Sequence, residues 1–201
     1  MGSTEGVNVN ASRIFGAVAL FSLLAASPAF AANECPGSND MAWRDYRGGS
    51  LTAPTPEERG DVIDLLSQYA WTMDNRDFNG LAALFVDNGH YYHCDPGNPN
   101  ATLGISAASL AKQFQTMFAN LAATNSSATR QLGSILIGKT TDGNFEVALS
   151  AQVSIQTIGV SAVQLDYTAK LYATITQDGE LLKFIVLKVA PYQSGIQASA
   201  R

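Results

Sequence analysis

Basic residues are scarce in this chain. Its 201 residues include 12 Lys and Arg against 17 Asp and Glu, which gives a net charge of −5, and charged residues make up only 14%. Binding to nucleic acid or to an anionic membrane surface depends on positive charge that neutralises phosphates, so neither partner is expected. The 46% of hydrophobic residues is typical of a globular protein and excludes a disordered acidic tail, a collagen or a coiled coil.

Motifs of cofactor chemistry are missing as well. The sequence has no glycine-rich phosphate loop, no serine nucleophile elbow and no zinc-binding helix motif. A metal site is poorly supported by the sequence. The only two histidines, His90 and His93, have one further possible metal ligand nearby, Asp95, and no second cluster of metal-binding residues follows. We therefore expect no metal and no other cofactor.

Cysteine is limited to two residues, Cys35 and Cys94. In an oxidising compartment they can form a disulfide that closes a loop of about 60 residues and contributes about 4 kcal/mol in the chain-entropy model. Two isolated thiols are the alternative. Nucleophilic cysteine chemistry is not expected, because His93 points to the face of a strand opposite to that of its neighbour Cys94.

Only one long hydrophobic run is present, over residues 14–26, between Arg13 and Pro28. It has about 13 residues, whereas a membrane span needs about 20. A positive residue, a short apolar stretch and small residues up to Ala31 are the pattern of a secretory signal. We predict a signal peptide over 1–31, cut after Ala31 or Ala32, and a secreted or periplasmic protein without a membrane partner. A membrane anchor or a buried N-terminal helix is the alternative.

The remaining chain divides into three parts. Residues 32–55 are rich in Gly, Ser, Pro and Asn and predict an N-terminal arm. Residues 56–192 carry regular hydrophobic periodicity and predict one domain, and residues 193–201 form a C-terminal tail.

Three helices are predicted at the start of the domain. Thr55 is an N-cap for a helix over about 56–75, because a proline and two acidic residues follow it. Asp77 caps a shorter helix that ends at the Asn-Gly pair 88–89. Apolar residues at spacings of three and four predict a third helix over about 106–120.

Strands follow. Residues 90–94 are a short aromatic strand candidate, and after Arg130 the apolar period changes to two. In the third of the long strands, alternation places Tyr167 on the core face and Asp166 on the opposite face. Helices followed by long strands define an α+β domain. The long strands cover 131–139, 145–158, 162–177 and 180–190.

These elements carry, in chain order, Tyr69, Asp74, Asp77, Leu81, Leu84, Phe85, Arg130 and the Asp178-Gly179 hairpin. These residues and the order of the elements resemble the SnoaL-like branch of the nuclear-transport-factor-2-like superfamily, which includes scytalone dehydratase and polyketide cyclases. The resemblance implies a cone-shaped curved antiparallel sheet wrapped around the three helices, with an apolar pocket for a small hydrophobic ligand. It also implies acid/base enzymes that use no cofactor, and a homodimer through the polar sheet face.

Asp74 matches the carboxylate that closes the first helix in the dehydratase-like and cyclase-like members. A carboxylate over an apolar cavity is desolvated, which raises its pKa toward the range useful for proton transfer. The alternative is that Asp74 only satisfies backbone amides at the turn.

Tyr69 precedes Asp74 by one and a quarter turns and can place its hydroxyl in the same cavity, where it would donate to a substrate oxygen. Tyr91 or Tyr92 can join it from the aromatic strand. We choose His93 as a proton shuttle, because histidine titrates near neutral pH. The candidate catalytic residues are therefore Asp74, Tyr69, Tyr92 and His93. The alternative is that the tyrosines are buried core residues and the histidine is a surface residue.

The sequence departs from the dehydratase-like pattern at one position. Those relatives carry a catalytic histidine at the start of the strand after the third helix, where this chain has Arg130 and Gln131. Glutamine cannot transfer a proton at neutral pH, whereas Arg130 can hold an anion or a carbonyl oxygen. The alternative for Arg130 is a solvated salt bridge. The candidate ligand-binding residues are Arg130, Gln131, Tyr91 and Tyr167.

Three hypotheses about function follow. The first is an exported, cofactor-independent lyase, isomerase or cyclase acting on a small apolar carbonyl or hydroxyl compound. The second is a non-catalytic protein that binds a hydrophobic small molecule in the same pocket. The third is a structural dimer built on the sheet face.

Overall fold

The computed structural model describes residues 51–94, 102–123, 125–157, 159 and 163–191. The predicted signal peptide, most of the arm, the tail and Cys35 lie outside these residues, so the disulfide stays a prediction. Three helices and six strands are described. They are α1 (Pro56–Asp74), α2 (Phe78–Ala83), β1 (Phe85–Cys94), β2 (Thr102–Ser106), α3 (Ala107–Ala123), β3 (Ser126–Lys139), β4 (Phe145–Thr157), β5 (Gln164–Asp178) and β6 (Leu181–Pro191).

The predicted caps of the first two helices are confirmed. The Thr55 hydroxyl accepts from the Glu58 amide at 3.2 Å, and the Thr55 amide donates to the Glu58 carboxylate at 2.8 Å. This reciprocal capping box satisfies two backbone groups that the first turn leaves without partners. The Asp77 carboxylate accepts from the Gly80 amide at 2.9 Å and caps α2 without a return bond.

The strands form one curved, open sheet in the order β2-β1-β6-β5-β4-β3. Four of the five pairings are antiparallel, and β1 pairs with β6 in parallel. The prediction of a helix up to residue 88 was wrong, because α2 ends at Ala83 and β1 begins at Phe85. A register irregularity between Phe85 and His90 divides that strand, which explains why only its second half shows a clear strand pattern.

The hydrophobic core lies between the helices and one face of the sheet. Alternate residues of the central strands face it, as the period of two predicts. The helices contribute apolar side chains from the sides that face the sheet. Phe114 of α3 and Phe184 of β6 are among the largest fully buried side chains. On β5 the core-facing residues are Ala169, Leu171, Ala173 and Ile175, all 2% exposed or less.

Candidate functional site

Asp74 and Arg130 join the end of α1 to β3. The Arg130 amide donates to Asp74 Oδ2 at 2.9 Å, and the guanidinium Nη1 donates to Oδ1 at 2.6 Å. The Arg130 side chain is 5% exposed and that of Asp74 is 21% exposed. Both oxygens of the carboxylate therefore accept from one residue, in a nearly buried ion pair of the charge-assisted kind.

Tyr69 lies in α1, five residues before Asp74, and is 3% exposed. Its ring meets Phe184 edge to face, with 6.3 Å between the ring centroids. Burial raises the pKa of the Tyr69 phenol, while the charge of Arg130 and a hydrogen bond to it act in the opposite direction. Burial dominates, so the phenol stays neutral and can donate a hydrogen bond at physiological pH.

Two further tyrosines, which belong to the sheet, lie near Tyr69 and Arg130. Tyr91 of β1 is 3% exposed, packs edge to face on Phe114 at 5.0 Å and interacts with the Tyr69 hydroxyl. Tyr167 of β5 lies close enough to Arg130 for the guanidinium charge to act on its phenol. Burial raises the pKa of both phenols.

The sheet register explains why Tyr167 and Arg130 meet. Arg130 lies opposite Val153 on β4, and Val153 lies opposite Tyr167 on β5. Residues that lie directly opposite one another share a face of the sheet, so all three side chains point toward the helices. We call the assembly of Arg130, Asp74, Tyr69, Tyr91 and Tyr167 the Arg130 cluster.

The cluster holds one cation, one anion and three neutral phenols. Burial lowers the pKa of Arg130, but the nearby Tyr69, Tyr167 and Asp74 outweigh this effect and the pKa is raised overall. The guanidinium is therefore a permanent cation. Together with the phenols it supplies several N–H and O–H donors that can hold a negatively polarised oxygen.

Three of the predicted site residues are not among the five residues of the cluster. Tyr92 is on the opposite face of β1, stacked on His90 at 5.9 Å and beneath the Lys188 ammonium, 5.9 Å from its ring centroid. Gln131 is exposed on the outer face opposite Gln152. His93 shares the face of Tyr91 but lies two residues farther along β1, where it is half-buried.

One residue of the site was missed by sequence reasoning. Asp166 of β5 interacts electrostatically with Arg130, and its charge raises the pKa of Tyr167. Burial raises the pKa of Asp166 itself, with Arg130 acting against the shift. No sequence signal places Asp166 here, because regular alternation puts it on the other face from Tyr167.

Two searches of the described residues gave negative results. In these parts of the chain, no three His, Cys, Asp or Glu side chains come together as a metal-binding group. Among the described helices, none is both long and apolar enough to cross a membrane.

The fold is similar to that of solved proteins with a nuclear-transport-factor-2-like, cystatin-like fold. An NTF2-like protein with a cystatin-like fold from Novosphingobium aromaticivorans superposes with a TM-score of 0.56 and 18% identity, over 80% of this chain and 95% of that one. The fold that the sequence resemblance implied is therefore confirmed.

Two other solved structures share this fold. Aln2 from a Streptomyces species gives a TM-score of 0.60 at 17% identity, over 70% of this chain and 94% of that one. A candidate scytalone dehydratase from N. aromaticivorans gives a TM-score of 0.55 at 12% identity, over 68% of this chain and 85% of that one. No family model and no curated protein matches the chain.

Proposed function

We propose that the protein is an exported, cofactor-independent acid/base enzyme of the lyase, isomerase or cyclase type. Its substrate is a small, mostly apolar compound that carries a carbonyl or hydroxyl oxygen. The observation that carries this proposal is the buried Arg130–Asp74 pair with neutral tyrosine hydroxyls around it. The resemblance to a candidate scytalone dehydratase, which is a fold-level analogy, agrees with it.

The donors of the cluster would act on the substrate oxygen. Arg130, Tyr69 and Tyr167 present N–H and O–H groups in a site shielded from water, where a hydrogen bond to a developing oxyanion is strongest. Because the pKa values of the phenols are raised, these groups donate without losing their own protons at neutral pH. Enolate or alkoxide formation is the step that such donors would accelerate.

Asp74 is the proton acceptor that the sequence resemblance implies. In the structure both of its oxygens accept from Arg130. Asp74 can therefore accept a proton only when a substrate oxygen has drawn the guanidinium away, because hydrogen bonds from Arg130 occupy both of its oxygens. In the resting protein Asp74 fixes the position of Arg130.

A non-catalytic binding protein is the second candidate. The apolar surroundings of the cluster, which include Phe114 and Phe184, favour a hydrophobic ligand in either case. The buried ion pair favours the enzyme, because a site that only holds an apolar body gains nothing from desolvating two charges.

Turnover assays with a panel of hydroxy-ketones and polyketide-like compounds test this function. We expect at least one compound to be consumed, and Asp74→Asn to lower kcat by about 100-fold or more while equilibrium binding persists. Binding without turnover by the wild-type protein would favour the second candidate. A panel that neither binds nor reacts would contradict both.

Export, the Cys35–Cys94 disulfide and a homodimer are proposals from the sequence. N-terminal sequencing of protein secreted by the native host tests the cut after Ala31 or Ala32, and thiol titration of the unreduced protein tests the disulfide. Two reactive thiols would contradict the disulfide, and a monomeric mass at micromolar concentration would contradict the dimer.

A further inference from the structure

The pairing of β4 with β5 contains an extra residue on β5. Val153 lies opposite Tyr167, and the next residue of β4, Ser154, lies opposite Leu165. One step along β4 therefore matches two steps along β5, and Asp166 is the residue without a partner. This arrangement is a β-bulge, which commonly re-aims a side chain beside a functional site.

The bulge changes which face each side chain takes. Tyr167 shares the inner face with its partner Val153, whereas Leu165 shares the outer face with Ser154. Leu165 is 53% exposed. Asp166 and Tyr167 together lie opposite Val153, and the two residues of such a bulge project to the same side of the sheet, so Asp166 points inward with Tyr167. The expectation that Asp166 and Tyr167 occupy opposite faces was therefore wrong.

The charges near Asp166 agree with this placement. Its carboxylate is close enough to Arg130 for their attraction to act on its pKa, and close enough to Tyr167 for its charge to raise the pKa of that phenol. Asp166 thus borders the Arg130 cluster and is the second carboxylate near the guanidinium.

The two carboxylates differ in what they already bind. Asp74 accepts hydrogen bonds from Arg130 at both oxygens. Asp166, in the described part of the chain, has no hydrogen bond or salt bridge, and its residue is exposed at the edge of the cluster. A carboxylate without a strong hydrogen bond keeps its basicity. Contact with water lets the same carboxylate exchange its proton with solvent.

We infer that Asp166 is a further catalytic residue, the carboxylate that takes the proton from a substrate whose oxygen is held by Arg130. This inference rests on the proposed function and deepens it. For a ketone, the bond between the α-carbon and its hydrogen breaks and the proton goes to an Asp166 oxygen. The electron pair forms the carbon–carbon double bond of the enolate, and the carbonyl electrons move onto the oxygen at Arg130. Delivering the proton to a different carbon of a conjugated enolate completes an isomerisation, and passing it to a departing β-hydroxyl releases water.

Hydrogen exchange tests the inference with simple ketones in place of the natural substrate. A panel of ketones is incubated in D2O with the wild-type protein, and deuterium uptake at the α-carbon is followed by proton NMR. We expect Asp166→Asn to lower the catalysed exchange by about 100-fold or more, since a general base contributes about 100- to 10,000-fold. Asp64→Asn makes the same charge change on the exposed side of α1 and should leave exchange unaltered.

Two further measurements separate catalysis from a structural role. Formate added to Asp166→Ala should restore part of the exchange, and Asp166→Glu should keep part of it, because both supply a carboxylate near the original position. Neither effect is expected if Asp166 only stabilises the bulge. The two variants also keep the inference testable if Asp166→Asn folds poorly.

The outcomes that overturn the inference differ from those that overturn the proposed function. Exchange that persists in Asp166→Asn within about threefold of the wild-type rate overturns the inference alone, and its loss in Asp74→Asn would then assign the proton to Asp74. A wild-type protein that neither exchanges hydrogen nor turns over any compound overturns the proposed function and this inference together.

Discussion

Arg130 binds Asp74 twice, through its backbone amide at 2.9 Å and through its guanidinium at 2.6 Å. One residue of β3 thereby holds the last residue of α1, and the ion pair fixes the helix end against the sheet. The same contact places a cation beside three phenols. Stability and the proposed chemistry consequently depend on the same pair.

Removing one partner of this pair should cost considerable stability. Arg130→Met removes the guanidinium and leaves the Asp74 carboxylate with the backbone amide of residue 130 but without a cation. Breaking a buried pair in this way costs about 3–5 kcal/mol. Because Asp74 is 21% exposed, we expect the lower part of that range. Urea unfolding of the variant gives the value.

The Lys183–Asp178 pair offers a matched control. It has a similar separation of 2.7 Å, but Asp178 is 50% exposed. Lys183→Met should lower the free energy of unfolding far less than Arg130→Met, because exposed ion pairs contribute little. Equal losses in Lys183→Met and Arg130→Met would show that burial of the Arg130 pair has no special role.

The capping box of α1 should also be measurable. Thr55→Ala removes the hydroxyl that accepts from the Glu58 amide and should lower the free energy of unfolding by about 1 kcal/mol. Ser67 lies on the exposed side of the same helix, where its hydroxyl donates to the Ile63 carbonyl. Ser67→Ala should be neutral or slightly stabilising, because alanine has the higher helix propensity. A similar loss in both variants would contradict the role of the cap.

Two glycine substitutions should act in opposite directions. A Cβ at Gly60, in the exposed part of α1, meets nothing within 4 Å, so Gly60→Ala should stabilise by about 0.5–1 kcal/mol. A Cβ at Gly89 would lie 2.9 Å from the Val86 carbonyl oxygen and 3.0 Å from that of Phe184. Gly89→Ala should therefore destabilise by about 1–3 kcal/mol. Thermal unfolding of both variants checks the pair, and a stabilised Gly89→Ala would show that β1 is packed less closely there.

The buried phenols predict a dependence of stability on alkaline pH. Burial raises the pKa values of Tyr69, Tyr91 and Tyr167 in the folded state, so the folded protein binds more protons than the unfolded one above about pH 10. Stability should be unaffected below that pH and should fall as the pH rises further, by up to about 1.4 kcal/mol per pH unit for each phenol.

Tyr69→Phe removes one of these phenols and provides the comparison. Denaturant unfolding between pH 9 and pH 11 should show a shallower loss of stability for Tyr69→Phe than for the wild-type protein. Identical slopes for the two proteins would mean that Tyr69 titrates in the same way in both states.

Much of the fold could be predicted from the sequence because its signals are local. The cap at Thr55 and the apolar spacing after it predicted a helix over 56–75, and α1 covers Pro56–Asp74. The alternation after residue 130 predicted four strands close to the observed ones. In contrast, the parallel pairing of β1 with β6 joins segments about 90 residues apart, and no local pattern encodes it.

The candidate site could be predicted only in part for the same reason. Asp74, Tyr69, Tyr91, Arg130 and Tyr167 were all singled out, and the structure brings them together. That Arg130 uses both oxygens of Asp74 depends on the approach of α1 to β3, which the sequence does not specify. Asp166 was placed on the wrong face because a bulge shifts the alternation by one residue, and the sequence around it carries no glycine or proline to mark the shift.

The central claim is that the Arg130 cluster polarises the oxygen of a carbonyl compound so that a neighbouring proton can be removed. Deuterium uptake at the α-carbon of ketones in D2O, compared between the wild-type protein and Arg130→Met at a temperature where both are folded, tests it most directly. We predict catalysed exchange for at least one ketone by the wild-type protein and its loss in Arg130→Met. Exchange that is equally fast in both proteins, or absent from the wild-type protein, would contradict the account.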